Sequence, residues 1–236
     1  MRYMLGRRPA RLQPINCRLR TIIRESQTDG FSSDHLIWHG RVMRLLLFNK
    51  PFRCLSQFTD EGERTTLARW VDQKDVYPAG RLDFDSEGLL LLTDHGGLQA
   101  RISDPKYKLT KTYLAQVEGS PSPDALANLC AGVHVKGSLV RAGTARIVPE
   151  PSGLWPRSPP IRIRKSVPDH WLEIVVERGL NRQVRRMTAA VGLPTLRLIR
   201  TDIGPWSLGT LMPGHWHEIS REKLASDFRN LGWRLT

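Results

Sequence analysis

The stretch 80–93, "GRLDFDSEGLLLLT", decides how this chain is read. Its second half, "LLLLT" (89–93), is a short continuous apolar run bounded by turn residues, the pattern of a strand buried on both faces. Its first half holds Asp83 and Asp85, and buried strands exclude carboxylates. An acid at the lip of such a strand is either a turn former or a site residue. Arg81 stands two residues before Asp83, and Gly80 and Gly88 bracket the segment, which lets a ligand approach the backbone closely. Those neighbours favour a site role for Asp83. Asp85 and Glu87 read as turn and cap residues around it.

Moving outward, "RLLLF" (44–48) predicts a buried strand ended by Asn49-Lys50-Pro51. "TTLARWV" (65–71) has a capping threonine and helical spacing, and "GGLQARIS" (96–103) suits a short helix stopped by Asp104-Pro105. "KTYLAQVEG" (111–119) alternates, with Tyr113, Ala115 and Val117 on one face of a strand and Thr112, Leu114 and Gln116 on the other. "SPDALANLCAG" (122–132) is a helix with proline in its first turn and glycine past its end. Strands follow at 141–148, 171–177, 195–201 and 215–219, and helices at 181–191 and 221–230. The six prolines of 149–170, with Arg157, Arg162, Arg164 and Lys165, mark a long basic surface loop between strands. The order is not a regular βαβα alternation. It predicts an α+β fold with a mixed, mainly antiparallel central sheet flanked by helices.

Lysine and arginine number 36 against 23 acids, a net charge of +13. Such an excess attracts polyanions, nucleic acid foremost, unless it serves only solubility. Cys17, Cys54 and Cys130 form no CxxC pair and no metal spacing, which fits free thiols in a reducing cytoplasm. No apolar run approaches the ~20 residues of a membrane helix. Residues 1–42 differ from the rest, with eight arginines, no lysine and three acids. They read as a basic arm that grips RNA phosphates, as a transit peptide, or as an extension upstream of a start at Met43. In each case the chemistry is expected in a single domain over 43–236.

In "LNRQVRRMTAAVG" (180–192), Arg182, Arg185 and Arg186 fall on one side of a helix, and Val184, Met187 and Val191 on the opposite side. One face enters the core. The other is a solvated cationic face, or a clamp for phosphate or carboxylate. His215 and His217 share a strand face but have no third metal ligand nearby in sequence. Asp83 and Asp85 are too close in sequence to serve as the opposed acid pair of a glycosidase.

Taken together, three stretches carry a family resemblance. "GRLDFDSEGLLLLT" resembles the catalytic motif of the pseudouridine synthases, "KTYLAQVEG" their second motif and "GLNRQVRRM" their third, in the family's order. The "FNKP" opening, "QFTDE" (57–61), the proline-rich insert and "MTAAVGLPTLRLIR" are similar to the branch acting on large-subunit ribosomal RNA. The resemblance implies a pseudouridine synthase catalytic fold that isomerises uridine to pseudouridine in 23S rRNA, free or in a pre-ribosomal large subunit, as a monomer and without cofactor or metal. It implies Asp83 as nucleophile, Tyr113 stacking on the target base and Arg185 as the cation that keeps Asp83 charged. Arg81 would occupy the space of the flipped nucleotide or grip its phosphate, and Lys111, Arg182 and Arg186 would contact RNA or hold the structure. Many relatives begin with a small S4-type RNA-binding domain. Residues 1–42 lack its helical pattern, so no S4 domain is expected. The rival readings are a non-catalytic RNA-binding or ribosome-assembly protein and a hydrolase that releases free base.

Overall fold

The computed structural model describes residues 37–38, 41–162, 164 and 166–233. Most of the basic arm therefore lies outside the described residues. Its described end is a two-strand ladder, β1 (Ile37–Trp38) with β2 (Arg41–Val42).

The apolar runs make the centre of a nine-stranded sheet. β3 (Leu45–Lys50) and β5 (Glu87–Thr93) pair antiparallel and are buried at every residue. β3 runs on through Asn49 and Lys50, which were expected to end it. The Lys50 ammonium can stay buried because it donates to the carbonyls of Pro51 and Cys54, both at 2.8 Å. β4 (Tyr77–Pro78) pairs antiparallel with β5, and β6 (Lys111–Glu118) alternates as its sequence predicts. β7 (Val133–Val135) and β8 (Ser138–Val140) form a separate hairpin that sequence periodicity missed, being only three residues each.

β9 (Thr144–Val148), β10 (Asp169–Val176), β11 (Thr195–Ile203), β12 (Trp206–Ser207) and β13 (Trp216–Glu218) complete the sheet. The path is β13-β3-β5-β11-β6-β10-β9, with β4 on β5 and β12 on β11. Only the β5–β11 pair is parallel, so the sheet is mixed and mainly antiparallel, as predicted.

Helices α1 (Gly96–Ser103), α2 (Pro123–Ala131), α3 (Gln183–Ala190) and α4 (Arg221–Leu231) flank the sheet. The Ser122 and Ser220 side chains accept from Ala125 and Lys223 amides, satisfying first-turn donors of α2 and α4. The 65–71 helix is reduced to one 3₁₀ turn, Leu67–Arg69.

The core has three parts. Leu45, Leu47, Leu89 and Leu91 pack with α1 and α4 on one face of β3–β5. Leu46, Phe48, Leu90 and Leu92 pack on the other face against Cys54, Leu67, Val71 and Val76. Each fully buried leucine contributes about 2 kcal/mol by leaving water, which is why a run of four is tolerated here. The inward face of β6 packs with α2, α3 and β10.

One row of the sheet matters most. Lys50, Gly88, Arg200, Tyr113 and Ile174 stand side by side on β3, β5, β11, β6 and β10. Glycine is required at 88: a Cβ there would lie 2.3 Å from the Arg200 carbonyl oxygen and 2.8 Å from its nitrogen. The row sets the loop before β5 beside β6.

Candidate active site

The loop carrying Asp83 is fixed by main-chain contacts on both sides of it. Ser56 Oγ donates to the Leu82 carbonyl at 2.7 Å and accepts from the Leu82 amide at 3.0 Å. The Arg53 amide donates to Phe84 O at 2.8 Å, and the Ser86 amide closes a turn onto Asp83 O at 3.0 Å. From β11, Arg200 donates through Nε to Leu89 O at 2.8 Å and through Nη1 to Arg81 O at 3.4 Å. With Leu82 buried as an anchor, the half-buried Asp83 carboxylate faces a cavity of about 530 Å³.

That cavity is also lined by Arg81, Tyr113, Arg182, Leu180 and Leu198. Tyr113 comes from the inward face of β6 and is 8% exposed. Leu180 and Leu198 supply apolar wall. Arg182 sits just ahead of α3 in a left-handed conformation, φ 52°.

The arginines of α3 do not pair with the acid that was expected. Arg182 grips Asp85 with two bonds, Nη1–Oδ1 at 2.7 Å and Nη2–Oδ2 at 2.8 Å. Arg185 donates through Nη2 to the Asp85 carbonyl at 2.6 Å and through Nη1 to Thr195 O at 3.2 Å, and its Nε lies 3.5 Å from Asp85 Oδ2. The turn at 83–86 is the reason. It points Asp85 toward α3 and leaves Asp83 lining the cavity with no side-chain hydrogen bond or close ion pair among the described residues, although its charge still acts on Arg182 and Arg185. Partial burial pushes the Asp85 carboxyl up, but the Arg182 bonds and the charges of Arg185 and Arg182 outweigh it and hold the group below its ordinary range. Burial pushes the Arg185 guanidinium down.

Comparison with known proteins decides the family. Residues 44–190 match the family model described as RNA pseudouridylate synthase. The chain belongs to that family. It is 54% identical over 174 residues to a ribosomal large subunit pseudouridine synthase E of Xanthomonas campestris pv. campestris, covering 73% of this chain and 93% of the relative. To the protein of that description from Vibrio vulnificus it is 50% identical over 177 residues, 75% of each chain. A crystal structure of a pseudouridylate synthase aligns with TM-score 0.62 at 25% identity, covering 78% of this chain and 74% of the other.

In this synthase, Asp83, Tyr113, Arg81 and Arg182 line one cavity. Arg185 stands behind it, bonded to the turn. Arg186 is on the next helical position and donates to Asn181 Oδ1 at 2.8 Å. Lys111, expected to contact RNA or hold the structure, is buried on the Tyr113 face of β6, which favours the structural role. Its proton affinity falls to about 8, chiefly from burial and then from the charge of Arg200. The Lys50 ammonium falls to about 8 as well, chiefly from burial.

Both lysines bind protons more weakly in the fold than in an unfolded chain, where the ordinary value is 10.5. Between pH 8 and 10.5 the unfolded chain then holds more protons, so stability rises with pH over that window. Lys111→Met is expected to flatten this rise in urea unfolding at several pH values across the window. An unchanged slope would mean that Lys111 finds compensation for its burial.

Three further residues went unrecognised. Glu87, read as a cap, is a strand residue only 2% exposed, paired with Arg197 through bonds of 2.8 Å to each carboxylate oxygen. Trp155 Nε1 donates to Glu87 Oε1 at 2.8 Å, and Arg197 donates to Trp155 O at 3.0 Å, so this pair ties the proline-rich loop to the sheet. Arg200 is the third. The signal was present: two arginines inside the apolar run "TLRLIRT" need buried partners. Of the two histidines, His217 lies in β13 and His215 before it, and no metal-binding group of three or more His, Cys, Asp or Glu occurs among the described residues. No helix of the described residues is long and apolar enough to cross a membrane.

Proposed function

We propose that this synthase converts one specific uridine of 23S ribosomal RNA to pseudouridine, with Asp83 as nucleophile and without a cofactor. The observation that carries the reading is Asp83, free of side-chain hydrogen bonds, lining a cavity together with Tyr113, Arg81 and Arg182, with the charges of Arg182 and Arg185 acting on it. The relatives named above support large-subunit rRNA as the substrate. The net charge of +13 supports a polyanionic one.

The target nucleotide leaves its stack and enters the cavity, at the cost of a few kcal/mol of unstacking. The Asp83 carboxylate attacks C1′, or removes a sugar proton to give a glycal, and the N1–C1′ bond breaks. The freed base turns between the Tyr113 ring and the apolar wall of Leu180 and Leu198, which keep water from capturing the sugar. C5 then bonds to C1′ as the carboxylate leaves, or, from the glycal, as Asp83 returns the sugar proton to C2′; C5 loses its proton and N1 ends with one. The Tyr113 hydroxyl assists at C5 in this reading. No electrons are gained or lost and no group leaves the RNA, so the reaction needs no redox partner or carrier.

The Asp85–Arg182–Arg185 cluster holds the turn that aims Asp83, and Arg81 takes the place vacated in the RNA or holds its phosphate. Residues 43–236 form the catalytic domain in this reading, and the enzyme acts as a cytoplasmic monomer. Residues 1–42 are a basic arm to it, or an extension upstream of Met43.

The test is incubation of the full chain with unmodified 23S transcript, followed by carbodiimide mapping of pseudouridine. One new pseudouridine is expected without added metal or cofactor. RNA binding without conversion would favour the assembly-protein reading, and release of free uracil would favour a hydrolase.

A further inference from the structure

A second cavity, of about 540 Å³, opens on the far side of Arg81 from Asp83. Both cavities are lined by Arg81 and Ser56, so they adjoin at this arginine. The volume falls in the ~300–1,000 Å³ range of ligand sites. Its walls are Pro78, Gly80 and Ala100, its polar groups Gln57 and Gln99, and no carboxylate lines it.

The two glutamines are oriented by main chain. Gln99 Nε2 donates to Pro78 O at 2.9 Å, and Gln57 Nε2 donates to Thr59 O at 2.7 Å. Each amide is left with its oxygen and one N–H without a protein partner among the described residues. A donor beside an acceptor on a planar group is the complement of a nucleobase edge. Flat walls of proline, glycine and alanine suit a base face, and a guanidinium plane stacks on one. Gly80 keeps the space open: its φ is +91°, and a side chain there would project toward Ser103, 3.8 Å from the Cβ position. Arg81, shared with the Asp83 cavity, is the one cation among its lining residues, and the other polar groups are neutral amides and hydroxyls, which complement a base edge better than a phosphate.

We propose that this cavity is a binding site for the base of the nucleotide immediately adjoining the target uridine, read by Gln57 and Gln99 and separated from the uridine by Arg81. The proposal rests on the reading of the Asp83 cavity as the uridine site. It makes Gln57 and Gln99 determinants of sequence context, distinct from the residues that do the chemistry.

The experiment uses a hairpin RNA spanning the mapped uridine, in its intact form and with an abasic nucleotide on the 5′ or the 3′ side of that uridine. Wild type is expected to lose about ten-fold or more in kcat/KM when one of the two neighbours is abasic, and far less when the other is. Ala100→Trp fills the cavity from an exposed helical position, so the fold has no reason to change. It is expected to be slow on intact RNA and to lose the difference between intact and abasic RNA. Gln99→Ala should narrow that difference part-way. A wild type indifferent to both abasic positions, or an Ala100→Trp enzyme that discriminates as wild type does, overturns the proposal. Absence of any pseudouridine with wild type and intact RNA overturns the uridine-site reading and this one with it, and shows before any variant is made.

Discussion

Asp83→Asn is expected to lower kcat for pseudouridine formation by at least ~10³-fold, about 4 kcal/mol of barrier, while RNA affinity changes by no more than a few-fold. The substitution is close to isosteric and removes only the charge and the nucleophilic oxygen. The loop does not depend on the carboxylate. It is held through Ser56, Arg53, Ser86 and Arg200, all by main-chain atoms of the loop. The cations that line the cavity, Arg81 and Arg182, keep their places. The measurement is single-turnover conversion alongside filter binding at matched salt, because phosphate contacts weaken steeply as salt rises. Conversion by the variant within ten-fold of wild type would remove Asp83 from the chemistry. Loss of binding together with activity would make it a structural residue.

Gly88→Ala should destabilise the protein by more than ~3 kcal/mol. Two costs add. The residue has φ +103°, where an L side chain is strained by roughly 1–3 kcal/mol. The new methyl would also overlap the Arg200 backbone, rigid strand rather than yielding side chain, and overpacking of this kind costs about 1–3 kcal/mol more. β5 and β11 must separate to admit it, at the one parallel seam of the sheet. Urea unfolding measures the loss, and a variant within 1 kcal/mol of wild type would show that the seam yields. Because Arg200 also donates to the Arg81 carbonyl, any surviving fold is expected to convert uridine slowly.

The larger elements were legible because each carries a physical signature of its own. "KTYLAQVEG" alternates, and β6 alternates in burial along its whole length. "GGLQARIS" coincides with α1, and 122–132 carries both its serine cap and its terminal glycine. Asp83, an acid out of place beside four leucines, lines the cavity.

What escaped was pairing between residues about a hundred positions apart, which no local pattern encodes. Arg185 was placed on Asp83 and bonds to Asp85, because the direction of each side chain depends on a turn closed by one hydrogen bond. For Lys111 the sequence left open a phosphate contact or a structural role, and its strand face decides that it is buried. Glu87 looked like a cap because its counter-ion, Arg197, arrives from β11. Lone charges in apolar strands were the available warning. Short elements such as the β7–β8 hairpin and β12 are too brief for periodicity to register.

The row Lys50–Gly88–Arg200–Tyr113–Ile174 gathers residues that leave the ribosome at five separate moments. A nascent chain cut off before β11 would own its acid but not the strand that steadies the loop around it. β3 would also keep a bare edge, open to wrong partners, until Trp216–Glu218 emerges to cover it. The loop that carries Asp83 is therefore steadied from β11 only after residue 200 has been made.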